Sequence, residues 1–175
     1  GQQLLDHSER IMKEYQQLDF DMNAMRKKYS GEIRIGASTT ISQYVLPEML
    51  AAFVRQYPQT SISVLSGNSR DIETALQNGK IDIGMVEGVI RQPQLKYTFF
   101  LKDEVVAIVS NRNVLVQKDE LSLDELRAIP MVLREHGSGT LDVVERTLQS
   151  KGLSLSDMNI VMYLGSTESI KGYIS

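Results

Sequence analysis

An α/β fold with mostly parallel sheets is predicted by three observations. Short apolar runs, Ile33–Ala37, Ile62–Leu65 and Ile81–Val86, alternate with segments of helical periodicity. The first two runs each end in small polar residues that open a helix, Ser38-Thr39-Thr40 and Gly67-Asn68-Ser69. The same strand, polar turn and helix return in the second half, at His136–Thr140 and Gly165–Thr167. In open α/β sheets such turns gather at the carboxyl edge, where ligands bind.

Bulk properties narrow the function. A chain of 175 residues holds one medium domain or two small ones. With 42% hydrophobic and 23% charged residues, the composition is that of an ordinary soluble globular protein. No apolar run has membrane-crossing length. No secretory signal pattern opens the chain, which points to the cytoplasm. The absence of cysteine excludes disulfides, thiolate catalysis and cysteine-ligated metals within this chain. A net charge of −3 lacks the basic surplus of a nucleic-acid surface, so any DNA contact has to come from another part.

Residues 1–30 form the first unit, read as a helix over 2–29. Leu4, Ile11, Tyr15, Leu18, Met22, Met25 and Tyr29 recur in steps of three and four, with Ser8 as the polar entry. That 3.5-residue period favours a coiled-coil dimerisation seam over a helix packed on its own domain. Leu5, Met12 and Phe20 widen the stripe. Arg26-Lys27-Lys28 suits a helix C-terminus.

Gly31 ends that helix. Ile33, Ile35 and Ala37 share one face of the next strand and Glu32 and Arg34 the other, which predicts a strand that is not fully central. Val45, Leu46, Met49, Leu50, Phe53 and Tyr57 then fall at helical spacing. Pro47 requires this helix either to start near Gln43–Tyr44 or to kink. Ser38–Ser42 are read as a polar turn above the strand. Pro58 closes the helix, and Ile62 and Val64 are expected to face inward from the second strand. Asn68 or Ser69 caps a third helix that buries Ile72, Ala75 and Leu76, and Asn78-Gly79 stops it.

After the strand Ile81–Val86 the rhythm breaks. Tyr97–Leu101 and Val105–Val109 are extended runs with no helix between them. They read either as a crossing between subdomains, divided 31–102 and 103–175, or as a hairpin at a sheet edge. Ser122-Leu123-Asp124-Glu125 is a capping box. Met131–Arg134 is a strand. His136-Gly137-Ser138-Gly139-Thr140 opens a helix through Val143, Val144, Thr147 and Leu148, which Gly152 stops. Ile160–Leu164 is the last strand, and the helix after Gly165-Ser166-Thr167 is cut at Ser175, so the sequence reads as part of a longer chain.

Four hydroxyl-bearing turns, two in each half, are what a carboxylate, sulfate or phosphate needs if they face one cleft. Any one Ser or Thr is by itself a plain N-cap; the repetition carries the reading. Catalytic signals are sparse. His7 and His136 are the only histidines, and no nucleotide loop, metal-ligand spacing or nucleophile elbow is present. No cofactor or metal is expected, and an enzyme is not.

The stretch Gly31–Val86, with LKDEVVAIVS, PMVLREHGSGTLDVVERTLQSKG and LGSTESIKGYIS after it, resembles the effector-binding domain of LysR-type transcriptional regulators. Residues 2–29 resemble the family's linker helix. The resemblance implies two α/β subdomains like those of periplasmic binding proteins, with the C-terminal part missing from this chain. It also implies a small inducer, often an anion, held between the subdomains. The matching positions are Ser38, Thr39 and Thr40 in the first ligand loop, and Asn68 and Ser69 in the second. His136, Gly137 and Ser138 match the loop from the second subdomain, and Thr167 lies at the fourth turn. The implied partners are a second copy, as dimer or tetramer, and DNA, reached only through a helix-turn-helix domain absent here. The alternative is a fragment of a solute-binding protein for transport, against which the heptad helix argues.

Overall fold

The computed structural model describes residues 31–88 and 90–175, together with Gln3, His7, Ser8, Arg10–Met12, Glu14, Tyr15, Leu18 and Met22. In the expected dimerisation seam, Ile11, Tyr15, Leu18 and Met22 are helical and exposed, as is Met12 beside them. Leu4, Met25 and Tyr29 lie outside the described residues, as do Leu5, Phe20 and the basic cluster 26–28.

The first sheet holds three parallel strands, β1 (Gly31–Ser38), β2 (Thr60–Gly67) and β3 (Ile83–Met85), in the order β2-β1-β3. The second pairs β4 (Met131–Arg134) with β5 (Ile160–Leu164), again parallel. The helices are α1 (Thr39–Tyr44), α2 (Leu46–Gln56), α3 (Ser69–Gln77), α4 (Leu123–Ala128), α5 (Gly139–Ser150) and α6 (Thr167–Ile174). Among the described residues no helix is long and apolar enough to cross a membrane.

Ile72, Ala75 and Ile81 form the buried core of the first sheet, with Leu76 and Val86 packed on it. Gly36 makes that packing possible. A Cβ there would lie 2.3 Å from Ile81 Cδ1 and 3.0 Å from Ile72 Cγ2. On the solvent side of β1, Arg34 grips Asp82. Its backbone N–H donates at 2.9 Å and its guanidinium at 2.6 and 3.3 Å. The guanidinium holds the Asp82 carboxyl below the usual carboxylate range.

Several sequence readings need correction. β1 is the middle strand of its sheet, although its amino-terminal half is open on one side. The alternation of Glu32 and Arg34 with isoleucines reflects that partial cover, not an edge position. Ser38–Ser42 is not a free turn. Ser38 caps α1, and the chain breaks at Val45 before restarting as α2 with Pro47 in its first turn. This is the kinked alternative, and it follows from the missing proline N–H. Val64 is exposed rather than inward-facing. Tyr97–Leu101 and Val105–Val109 form no strand among the described residues, and Phe99 is 77% exposed. These apolar runs have no partner strand among the described residues.

Other signals match. The Ser122–Glu125 capping box is closed in both directions, at 3.2 and 2.9 Å. Asn78 ends α3 and Gly79 takes φ +65°, a left-handed value suited to a residue without a Cβ.

Candidate functional site

The order β2-β1-β3 sends the chain first to one side of β1 and then to the other. The crevice at a topological switch point therefore opens at the carboxyl ends of β1 and β3. Ser38 ends β1, and Glu87 stands two residues beyond β3. Facing them from the second sheet are Arg134, the last residue of β4, and Gly165, the first after β5.

Arg134 is buried, at 3% exposure. Its Nη2 donates to Thr39 Oγ1 at 2.7 Å, and its Nη1 to Thr40 Oγ1 at 3.4 Å and Thr167 Oγ1 at 3.5 Å. The carbonyl of Gly165 accepts a further bond at 3.4 Å. Its charge is balanced locally by Glu135, paired in the forked geometry at 2.9 and 3.0 Å. One guanidinium thus ties the first polar turn to the fourth.

Glu87 joins the first turn to the third. Its Oε1 accepts from Thr40 Oγ1 at 3.0 Å and Thr140 Oγ1 at 2.9 Å, and its Oε2 from Ser38 Oγ at 3.4 Å. Ser69 Oγ donates to its backbone carbonyl at 3.0 Å, which brings in the second turn. The second and third turns also touch directly, since Arg70 N–H donates to the Gly137 carbonyl at 3.2 Å.

The close approach depends on Gly139, at the start of α5. A Cβ on it would stand 2.0 Å from the Glu87 carbonyl oxygen. Outside the buried cluster, Tyr44 donates to Glu168 and accepts from Lys171 at 2.9 Å, an exposed bridge from α1 to α6.

Of the residues singled out from sequence, Ser38, Thr39, Thr40, Ser69 and Thr167 place their hydroxyls in this network. Ser38 and Ser138 also cap α1 and α5, accepting from Ile41 and Leu141 N–H groups. Asn68 caps α3 and exchanges bonds with Asp71. Gly137 (φ +92°) brings its backbone against Asn68 and Arg70. His136 is not in the cluster. Its ring packs 4.8 Å from that of Tyr163 and is exposed. Sequence reasoning missed Arg134, Glu87, Glu135 and Thr140 as contributors. The first three stand at or just past strand carboxyl ends, and that position was the available signal.

Beside the network is a polar cavity of about 40 Å³, room for about one water, lined by Ser69, Arg70, Glu73, Glu87, Gly137 and Asp142. Burial pushes the Asp142 carboxyl up against the pull of Arg70. An apolar groove of about 730 Å³ runs from Ile83 and Leu76 toward Phe99 and ends on Thr40, Glu87 and Thr140. Among the described residues no group of three or more His, Asp or Glu could hold a metal ion.

Residues 26–175 match the family model described as the LysR substrate binding domain. The chain is similar to the uncharacterized HTH-type transcriptional regulator YeiE of Escherichia coli K12, at 34% identity over 86% of this chain and 50% of that protein. It is similar to the HTH-type transcriptional activator CmpR of Synechocystis sp. PCC 6803, at 32% identity over 98% of this chain and 55% of that protein. Among solved structures it resembles the regulatory domain of Synechocystis PCC6803 CcmR in complex with 2-PG. The TM-score is 0.73 at 28% identity, covering 83% of this chain and 68% of that one. The chain spans about half the length of the curated relatives it matches.

Proposed function

The chain belongs to the LysR substrate-binding domain family, and on that premise we propose that it senses a small anionic inducer for a DNA-binding transcriptional regulator. The inducer binds between the two sheets and is held by Ser38, Thr39, Thr40, Asn68, Ser69, Gly137, Ser138 and Thr167. The observation that carries this reading is the cluster itself. Hydroxyls from both sheets meet around one buried guanidinium. Thr39 and Thr167 each accept from Arg134, and among the described residues neither hydroxyl finds an acceptor of its own. Each retains an O–H to donate. His136, turned toward Tyr163, has no part in this set as the cleft stands.

A ligand that touches both subdomains, taken as 31–102 and 103–175, favours the arrangement that lets it do so. The domain passes that shift to DNA through a helix-turn-helix domain elsewhere in the cytoplasmic regulator. It does so as a dimer or tetramer, with the exposed stripe Ile11, Tyr15, Leu18 and Met22 as part of the contact. The 2-PG bound by the CcmR regulatory domain supports a small-molecule ligand. The HTH-type regulators among the relatives favour this reading over transport or catalysis.

The test is thermal unfolding of the full-length regulator against a panel of small carboxylates, sulfate and phosphate, repeated on a Thr39→Val variant. An anion that raises Tm in the parent and loses most of that effect in the variant is the expected result. A panel with no stabilising anion contradicts the reading.

A further inference from the structure

The Glu87 carboxylate already sits where an anion would. Its two oxygens accept three hydroxyl bonds, two from the first sheet's turn (Ser38 and Thr40) and one from the second sheet's (Thr140). That is the donor set a bound carboxylate or sulfate would draw on. Thr40 stands in both networks, since it accepts from Arg134 at 3.4 Å and donates to Glu87 at 3.0 Å. The polarity runs from guanidinium to hydroxyl to carboxylate, as it would toward a ligand anion. A hydroxyl has one proton to donate, so Thr40 and Thr140 cannot serve Glu87 and an inducer at once.

We propose that Glu87 is an internal occupant of the inducer site, and that an anionic inducer binds by displacing its side chain. This rests on the anion-sensing reading above. The backbone of Glu87 is held by Ser69 and packed against Gly139, so the exchange is a side-chain movement. The displaced carboxylate gives up a bond between the sheets that the inducer replaces. Binding therefore remakes the joint between the sheets rather than filling an empty gap. Affinity for anions is set partly by how well Glu87 competes, which keeps the site from filling with weak common anions.

The experiment is isothermal titration of the full-length regulator with sulfate, phosphate and glycolate, comparing the parent with Glu87→Gln and Glu87→Ala. The account predicts that at least one of these anions binds tenfold or more tightly to both variants. Affinity unchanged within twofold, or lowered, overturns the proposal while leaving anion sensing intact where the parent binds. Binding by neither parent nor variants overturns both. Should the variants fail to fold, a crystal structure of the parent soaked in sulfate decides. Glu87 carboxylate oxygens moved out of reach of Thr40 and Thr140 support displacement. Sulfate in the cleft with all three Glu87 bonds intact refutes it.

Discussion

Arg134 at the end of β4 donates to Thr39 Oγ1 at 2.7 Å, joining the second sheet to the first turn of the first sheet. The bond is short, and the guanidinium is almost fully buried. It is one of several that leave from a single side chain toward Thr39, Thr40, Thr167 and the Gly165 carbonyl. Burial decides its weight, because a polar contact removed from water costs more to break than the same contact at the surface.

Two contacts across the sheets should therefore differ in energy. Arg134→Met removes the buried hub and leaves Glu135 unpaired, at a cost of about 3 kcal/mol. Tyr44→Phe removes an exposed hydroxyl bridge to Glu168 and Lys171, at a cost below about 1 kcal/mol. Denaturant unfolding of the full-length protein compares them. Equal costs would mean that Arg134 is not the main tie.

Gly139→Ala places a methyl group 2.0 Å from the Glu87 carbonyl oxygen, a backbone atom with no flexible side chain to give way. The sheets must separate locally, with a loss of about 1–3 kcal/mol. Gly165→Ala is the control, because a Cβ there meets nothing within 4 Å. A Gly139→Ala variant as stable as the Gly165→Ala variant would show that the approach at Glu87 is not tight.

Asp142 gives a pH signature. Burial raises its folded pKa above the unfolded value, so the folded state holds the proton more tightly. That contribution is fully present below the unfolded pKa, about 3.9. It is lost as pH rises through the folded pKa, which leaves the ionised group a burden at neutral pH. Asp142→Asn should raise Tm at pH 7, and the gain should vanish in acid below the unfolded pKa. A gain that persists or grows in acid would reverse the sign.

The Arg34–Asp82 pair works in the opposite direction. Asp82 is held below its usual value, so its contribution is present above the unfolded pKa and is lost as pH falls through the folded one. Both side chains are partly exposed, at 41% and 45%, so salt screens the pair and the effect is small. Asp82→Asn should lower Tm slightly at neutral pH and low salt, with the difference shrinking in high salt. A salt-independent loss would mean that the Asp82 bond to the Arg34 backbone N–H, at 2.9 Å, carries the effect instead.

Much of this architecture was legible in the residues. Strand, polar turn and helix repeat because each turn must both end a strand and cap a helix, and Ser, Thr and Asn at those positions announce it. The capping box at Ser122 and the stop at Gly79 are local chemistry and read directly. What the sequence hid is tertiary. Arg134 closes an apolar run and resembles a strand end reaching for solvent; only the facing sheet makes it a buried hub. Glu87 looked like the start of an irregular stretch, because nothing nearby in sequence shows that Thr40 and Thr140 converge on it. The setting of His136 was hidden for the same reason. Its place in a glycine-rich loop suggested the cleft, whereas Tyr163 on the neighbouring strand draws the ring away. The central place of β1 was also hidden, since strand order depends on where the next two strands return.

The most direct measurement is a crystal structure of the full-length regulator soaked in selenate, with selenium located by anomalous scattering. The account predicts a peak in the gap between the two sheets, its oxygens within hydrogen-bond reach of the Thr39 and Thr167 hydroxyls. Peaks found only on other surfaces, with that gap still closed by Glu87 and Arg134, would contradict it.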